Sequence, residues 1–218
     1  MIKSILKKVY FFLKGIPSFS NSGKYWDERY KKGGNSGAGS YNNLAEFKGK
    51  IINEFVEENN IETVIEFGCG DGNQLKYFDF KSYFGFDVSN TAISICKELY
   101  KADSSKQFKL LESFDGEKAQ LTLSLDVIFH LVEEEVYSDY MKKLFSSSLK
   151  YVIIYSSNHN ELENNRIAEH VKHRKFSEWV EKNAVDFELI KFIPNEYPYD
   201  ENDIRTSFSD FYIFQKRK

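Results

Sequence analysis

The segment Val64-Ile65-Glu66-Phe67-Gly68-Cys69-Gly70-Asp71-Gly72-Asn73 ends an apolar run in an acid and then sets glycines at every second position. Glycine lets the main chain turn sharply and lets a ligand approach the backbone. Asp87 follows Glu66 by 21 residues and closes a second apolar run, Tyr83-Phe84-Gly85-Phe86. An acid about 20 residues on, at a neighbouring strand tip, commonly accepts hydrogen bonds from ribose hydroxyls. The glycine spacing is GxGxG, which argues against the GxGxxG loop of a dinucleotide oxidoreductase. A carboxylate at Glu66 suits a cationic amine better than a pyrophosphate. Together these features describe a nucleoside with a positively charged tail.

Other reactive side chains fall beyond later apolar runs. His130 lies four residues after Asp126, where it should face the same cleft. Its imidazole titrates near neutral pH, so it is a candidate general base; the plainer role is to order its loop. His170, Lys172, His173 and Arg174 gather in one short stretch that could bind a phosphate or carboxylate, or form a solvated basic turn. Two histidines at i, i+3 lack an evident third ligand, so no metal is expected. His159 is a lesser candidate for substrate contact. The glycine- and serine-rich stretch 33–40 reads as a lid whose amides, with Ser36, Ser40 and Tyr41, touch ligand; a flexible tether is the alternative. Tyr25, Trp26 and Tyr30 just before it could cover the cofactor or pack in the core. Cys69 is a small side chain in the glycine loop, not a proposed nucleophile. Glu133, Glu134 and Glu135 should open the following helix, where acids complement its dipole.

The elements that must position these groups alternate. Strands are expected at 63–67, 83–87, 108–111, 121–128, 151–155, 187–193 and 207–215, with helices at 24–32, 43–58, 90–101, 133–147 and 175–183. Apolar strands separated by helices indicate a mostly parallel sheet covered on both faces. The last two strands have no helix between them and should be antiparallel neighbours at one edge. Residues 2–14 carry apolar side chains at helical spacing, and Gly15 and Pro17 end the pattern.

Read as motifs, Glu66 to Gly72 resembles the first motif of the class I S-adenosylmethionine-dependent methyltransferases. Gly85 to Ser89 resembles their second and Leu123 to Leu131 their fourth-strand motif. The likeness spans about residues 25–215. It implies an α/β, Rossmann-like, seven-stranded, mostly parallel sheet with helices on both faces and an antiparallel last strand. It implies S-adenosyl-L-methionine as cofactor and S-adenosyl-L-homocysteine as product. The methionine part would lie at Glu66, Gly68, Cys69 and Gly70, and the ribose at Asp87 and Val88. Leu111 to Phe114, Ser113 and Phe114 among them, would lie near the adenine, with Leu125, Asp126, Tyr25 and Trp26 completing the site. Acceptor contacts would fall to His130, Tyr155, Ser36, Ser40, Tyr41, His170, His173 and Arg174. Three segments, Gly34 to Tyr41, Ser124 to Val132 and His170 to Arg174, resemble a bacterial group associated with surface (capsular) polysaccharide biosynthesis. That likeness points to O-methylation of a small sugar-linked or phosphate-bearing metabolite, with nucleotide-linked sugars among the acceptors. N-methylation of an amino sugar or small amine is the alternative within enzymes, and a non-catalytic scaffold is the alternative outside them.

Charge separates the chain into two parts. The whole carries 30 basic and 33 acidic residues, net −3, but residues 1–24 hold five lysines and no acid, leaving −8 for the rest. An acidic body without a basic aromatic platform disfavours nucleic acid. The division expected is an amphipathic helix and loop at 1–23, then a catalytic domain at 24–218 with a helical lid at 24–58. Residues 1–16 would touch the body, a partner or a membrane surface. Two cysteines form no disulfide framework, and the apolar run Val9 to Leu13 is too short for a signal peptide. A cytoplasmic location follows, or a peripheral one at the inner membrane face.

Overall fold

The computed structural model describes residues 19–160 and 168–218. The expected helix at 2–14 lies outside the described residues. Strands β1 (Thr63–Phe67), β2 (Ser82–Asp87), β3 (Lys106–Leu110), β4 (Ala119–Leu125), β5 (Ser148–Ser156), β6 (Phe187–Ile193) and β7 (Asp210–Lys216) form one sheet. Its order is β3-β2-β1-β4-β5-β7-β6. β7 alone is reversed, running antiparallel to both β5 and β6. The expected mostly parallel sheet with a reversed last strand is therefore what the chain builds.

Helices α1 (Ser22–Lys31), α2 (Asn42–Glu58), α3 (Asn90–Leu99), α4 (Glu134–Ser146) and α5 (Phe176–Asn183) accompany the sheet. One core joins Phe47, Ile52 and Phe55 of α2 and Ile93 of α3 to Val64 and Leu123. The other joins Tyr140, Met141 and Leu144 of α4 and Phe176 of α5 to Ile65 and Phe67. Successive β1 residues thus bury into opposite layers, which is why that strand reads as a continuous apolar run.

Element ends differ from expectation where a local hydrogen bond or turn intervenes. α1 starts at Ser22 because the Asn21 side chain accepts from Lys24 N at 2.8 Å and caps it. β4 stops at Leu125, not at Ile128, because Asp126 adopts φ 59° and Ile128–His130 form a 3-10 turn. β7 starts at Asp210 rather than 207, and Ser207 makes only an isolated bridge to Pro198. Among the described residues, no helix is long and apolar enough to cross a membrane.

Candidate functional site

A cavity of about 490 Å³ opens at the carboxyl ends of β1, β2 and β4. Such volumes fall in the range of about 300–1,000 Å³ typical of small-molecule sites. Its floor is the glycine loop after β1. Gly68 has φ +84°, and a Cβ there would lie 2.5 Å from Val127 Cγ2. Gly70 has φ +58°, and a Cβ there would lie 2.3 Å from Ser36 Oγ. Both backbone angle and space therefore demand glycine at these two positions.

Asp87 lines the cavity at the tip of β2. Its Oδ2 accepts from Gly70 N at 3.0 Å and its Oδ1 from Ser89 N at 2.8 Å. The acid and the glycine loop are thus one hydrogen-bonded unit. Burial pushes the Asp87 carboxyl up to about 6, against the pull of those amides. Val88 and Leu111 continue the wall, and Leu125, Asp126 and Val127 close it from β4.

Helix α1 forms the roof. Ser22 donates to Glu133 through its backbone N at 3.0 Å and its Oγ at 2.6 Å, and its Oγ accepts from Val132 N. Trp26 and Tyr30 face the cavity. The stretch 33–40 docks on the glycine loop rather than dangling as a tether. Ser36 N donates to Asp71 Oδ2 at 3.0 Å, and Asp71 N donates to Ser36 Oγ at 2.9 Å. Ser36 and Ser40 line the cavity.

His130 lines the cavity with its ring edge-on to Trp26 at 4.8 Å. Its Nδ1 donates to the His170 carbonyl at 3.0 Å, which leaves Nε2 as the acceptor. Burial pushes its pKa down to about 3. The imidazole is therefore neutral throughout the physiological range, and a weak base.

No family model matches this chain, and no curated protein matches it either. Solved structures do. The N-methyltransferase NodS from Bradyrhizobium japonicum WM9, in complex with S-adenosyl-L-homocysteine, aligns with TM-score 0.65 at 10% identity, over 91% of this chain and all of that one. The magnesium protoporphyrin IX methyltransferase ChlM from Synechocystis PCC 6803, with bound SAM, gives 0.61 at 14%, over 92% and 99%. The methyltransferase domain of bacterial CtHen1-C gives 0.60 at 20%, over 81% and 100%. This is the Rossmann-like methyltransferase fold. At these identities the likeness is one of fold.

Within that fold, several expected site residues stand elsewhere. Glu66 does not line the cavity; it is buried in the sheet, accepting from Gln74 Nε2 at 2.9 Å and Tyr83 Oη at 2.6 Å. Burial pushes it up to about 7. Tyr25, itself on α1, is buried and stacked on His170 at 4.3 Å. The Tyr41 hydroxyl is spent on Asp71 Oδ2 at 2.8 Å. Tyr155 is a core residue whose hydroxyl accepts from Asn195 Nδ2 at 2.8 Å. Ser113 is exposed and donates to the Leu110 carbonyl, while Phe114 packs on Phe67 and Phe86. Leu111, from the same expected stretch, does line the cavity.

The basic stretch is also not a free anion receptor at the main cavity. Arg174 donates to the carbonyls of Leu131 at 2.7 Å and Val132 at 2.8 Å and pairs with Glu134 at 3.1 Å. Lys172 pairs with the same Glu134. His173 is buried, sharing a 2.7 Å hydrogen bond with Ser157 Oγ and stacked on His159 at 4.8 Å. His173 and Arg174 line a separate hollow beside Trp179. Residues 170–174 therefore act as a strap that holds the loop carrying His130.

Sequence reasoning missed Lys48. This side chain is fully buried, and its Nζ lies 2.7 Å from Asp126 Oδ2. Asp126 Oδ1 accepts from Ser209 Oγ at 2.8 Å. The clue was present: Lys48 stands in the i, i+4 stripe between Leu44 and Ile52, where an apolar residue belongs.

Proposed function

We propose that this chain is an S-adenosylmethionine-dependent methyltransferase acting on a small molecule. The observation that carries the reading is the hydrogen-bonded unit of Gly70 and Asp87 at the floor of one cavity of about 490 Å³. The left-handed glycines leave room for a ligand against the backbone, and the Asp87 carboxylate, ionised above about pH 6, is an acceptor for ribose hydroxyls. Gly68, Cys69, Gly70, Asp87, Val88, Leu111 and Asp126 would hold the cofactor, with Trp26 and Tyr30 above it. When bound, S-adenosylmethionine supplies an electrophilic methyl group on a sulfonium.

The chain's own contribution is alignment and exclusion of water. Helix α1 and stretch 33–40 cover the cavity, so an acceptor is held between roof and floor. The leading acceptor is a hydroxyl of a sugar-linked or phosphate-bearing metabolite of surface-polysaccharide biosynthesis. Its support is the resemblance of segments 34–41, 124–132 and 170–174. N-methylation of an amino sugar or small amine has one observation in its favour. His130 is pushed down to about 3, a poor match for taking a proton from a hydroxyl, whereas an amine that arrives neutral needs less base assistance.

Calorimetry with S-adenosylhomocysteine tests the cofactor. Micromolar binding is expected, and no heat at millimolar ligand overturns the reading. A methyl-transfer screen over paired hydroxyl and amino sugars then separates the two acceptors. Cofactor binding without turnover on any of them would favour a scaffold.

A further inference from the structure

β6 is the outermost strand of the sheet, and no described element pairs with its free edge. Leu189, Ile190 and Phe192 are 50%, 43% and 50% exposed along it. Proteins usually cover or blunt such an edge, because unpaired strand backbone recruits another strand.

The residues Phe187-Glu188-Leu189-Ile190-Lys191-Phe192 read alike in chemistry from either end. Aromatics stand outermost, opposite charges next, aliphatics at the centre. Two copies laid antiparallel about a twofold axis between Leu189 and Ile190 set Glu188 across from the partner's Lys191, twice. Leu189 and Ile190 fall at the axis. Opposite charges directly across an antiparallel pair stabilise it, and like charges destabilise it.

Side chains that face each other across such a pair must share a face of the sheet. Glu188 and Lys191 are three apart, so in a regular strand they would not. The bulge between Leu189 and Lys191 corrects this. Glu188 pairs with Gln215 and Lys191 with Ile213, two apart on β7, so acid and lysine share one face. By the same register Phe187, Leu189 and Phe192, opposite Lys216, Phe214 and Tyr212, share the other.

The geometry points to a homodimer in which the β6 strands of two copies pair antiparallel and extend the sheet across a twofold axis. A self-complementary patch is what a twofold interface requires. The 3.7 Å contact of Glu188 with Arg217 is exposed and is readily traded for the new pair. The candidate cavity, at β1, β2 and β4, is left clear.

Sedimentation equilibrium of the full chain, from micromolar to submillimolar, tests this. A concentration-dependent dimer is expected. Glu188→Lys and Lys191→Glu should each weaken it by about tenfold or more, because each sets like charges opposite each other twice. An equimolar mixture of the two single variants should restore it, since every cross pair is then acid against lysine. Both residues are exposed, so circular dichroism should match the parent. Three results overturn the proposal: a monomer at all concentrations, as when the bulge and charges serve only to repel strands; a dimer indifferent to both reversals; or a mixture that fails to recover.

Discussion

Ser89 Oγ donates to Asp27 Oδ1 at 2.8 Å, tying the roof helix α1 to the residue that caps α3, two positions beyond Asp87. At its N-terminus α1 is tied to Glu133 through Ser22. The roof is thus fastened to both banks of the cavity by short polar side chains rather than by apolar burial alone. Asp27→Ala removes one fastening. A hydrogen bond to a charged group contributes about 1.5–3 kcal/mol, so release of S-adenosylhomocysteine should quicken by about tenfold or more in stopped-flow. An unchanged release rate would show that α1 does not gate the site.

Gly70→Ala tests the floor. The added Cβ would lie 2.3 Å from Ser36 Oγ at φ +58°. Loss of cofactor affinity by at least about tenfold is expected, together with a stability cost of about 1–2 kcal/mol. Gly116→Ala is the control. It shares the positive φ, +85°, but its Cβ meets nothing within 4 Å. That variant should cost less stability, having the backbone strain without the clash, and leave affinity unchanged.

Cofactor affinity should depend on pH through Asp87. Burial holds this carboxyl at about 6, so it loses its charge just below neutrality rather than near its ordinary value. Only the ionised form offers all its lone pairs to ribose hydroxyls. Binding of S-adenosylhomocysteine should be flat above about pH 7 and fall by up to about tenfold per pH unit below 6. Asp87→Asn should bind more weakly and flatten the profile in calorimetry from about pH 5 to 8.

Glu66 carries a second pH dependence, of stability. Its folded value of about 7 lies above the ordinary 4.5, because burial opposes its charge. The folded state therefore holds the proton more tightly than the unfolded chain does. Its stabilising contribution is full below about pH 4.5 and is lost as pH rises through about 7. Glu66→Gln escapes that loss and can still accept from Tyr83. It also offers an amide near Gln74 Oε1, which is buried with no partner among the described residues. The variant should match the parent in acid and exceed it by about 3 kcal/mol above pH 7 in denaturant melts. Equal stability at both pH values would show that Glu66 is not held protonated by the fold.

The sequence made the scaffold legible because its signals are local. β1 and β6 fall on their expected residues, each an apolar run with clear ends. The expected end of β4 runs three residues past Leu125 because Val127 and Ile128 continue the apolar pattern, and nothing local says that Asp126 turns left-handed. The site was less legible. Period-2 alternation cannot show that Gln74 folds back to claim Glu66. The fate of Arg174 depends on carbonyls 42 and 43 residues away, a pairing no spacing rule reaches. The glycines were readable because a positive φ is a local demand, and Asp87 because it closes an apolar strand at a set spacing from the first.

The buried Lys48 and the half-buried Asp126 pair where the fourth strand ends. Asp126 holds φ 59° with one carboxylate oxygen on Lys48 Nζ at 2.7 Å and the other on Ser209 Oγ at 2.8 Å. That turn swings Val127 onto the Gly68 floor and His130 to the cavity wall. Lys48→Met leaves a half-buried carboxylate beside an apolar side chain and should cost about 1–3 kcal/mol. Asp126→Asn strands the lysine instead, while asparagine still tolerates the left-handed turn. The double variant buries no unpaired charge, so it should recover part of the loss, with a coupling energy of about 1–3 kcal/mol in a double-mutant cycle. Additive costs would mean that each residue is held by other partners. If the pair also sets the turn, Lys48→Met should weaken S-adenosylhomocysteine binding although Lys48 does not line the cavity, and the double variant should regain affinity along with stability.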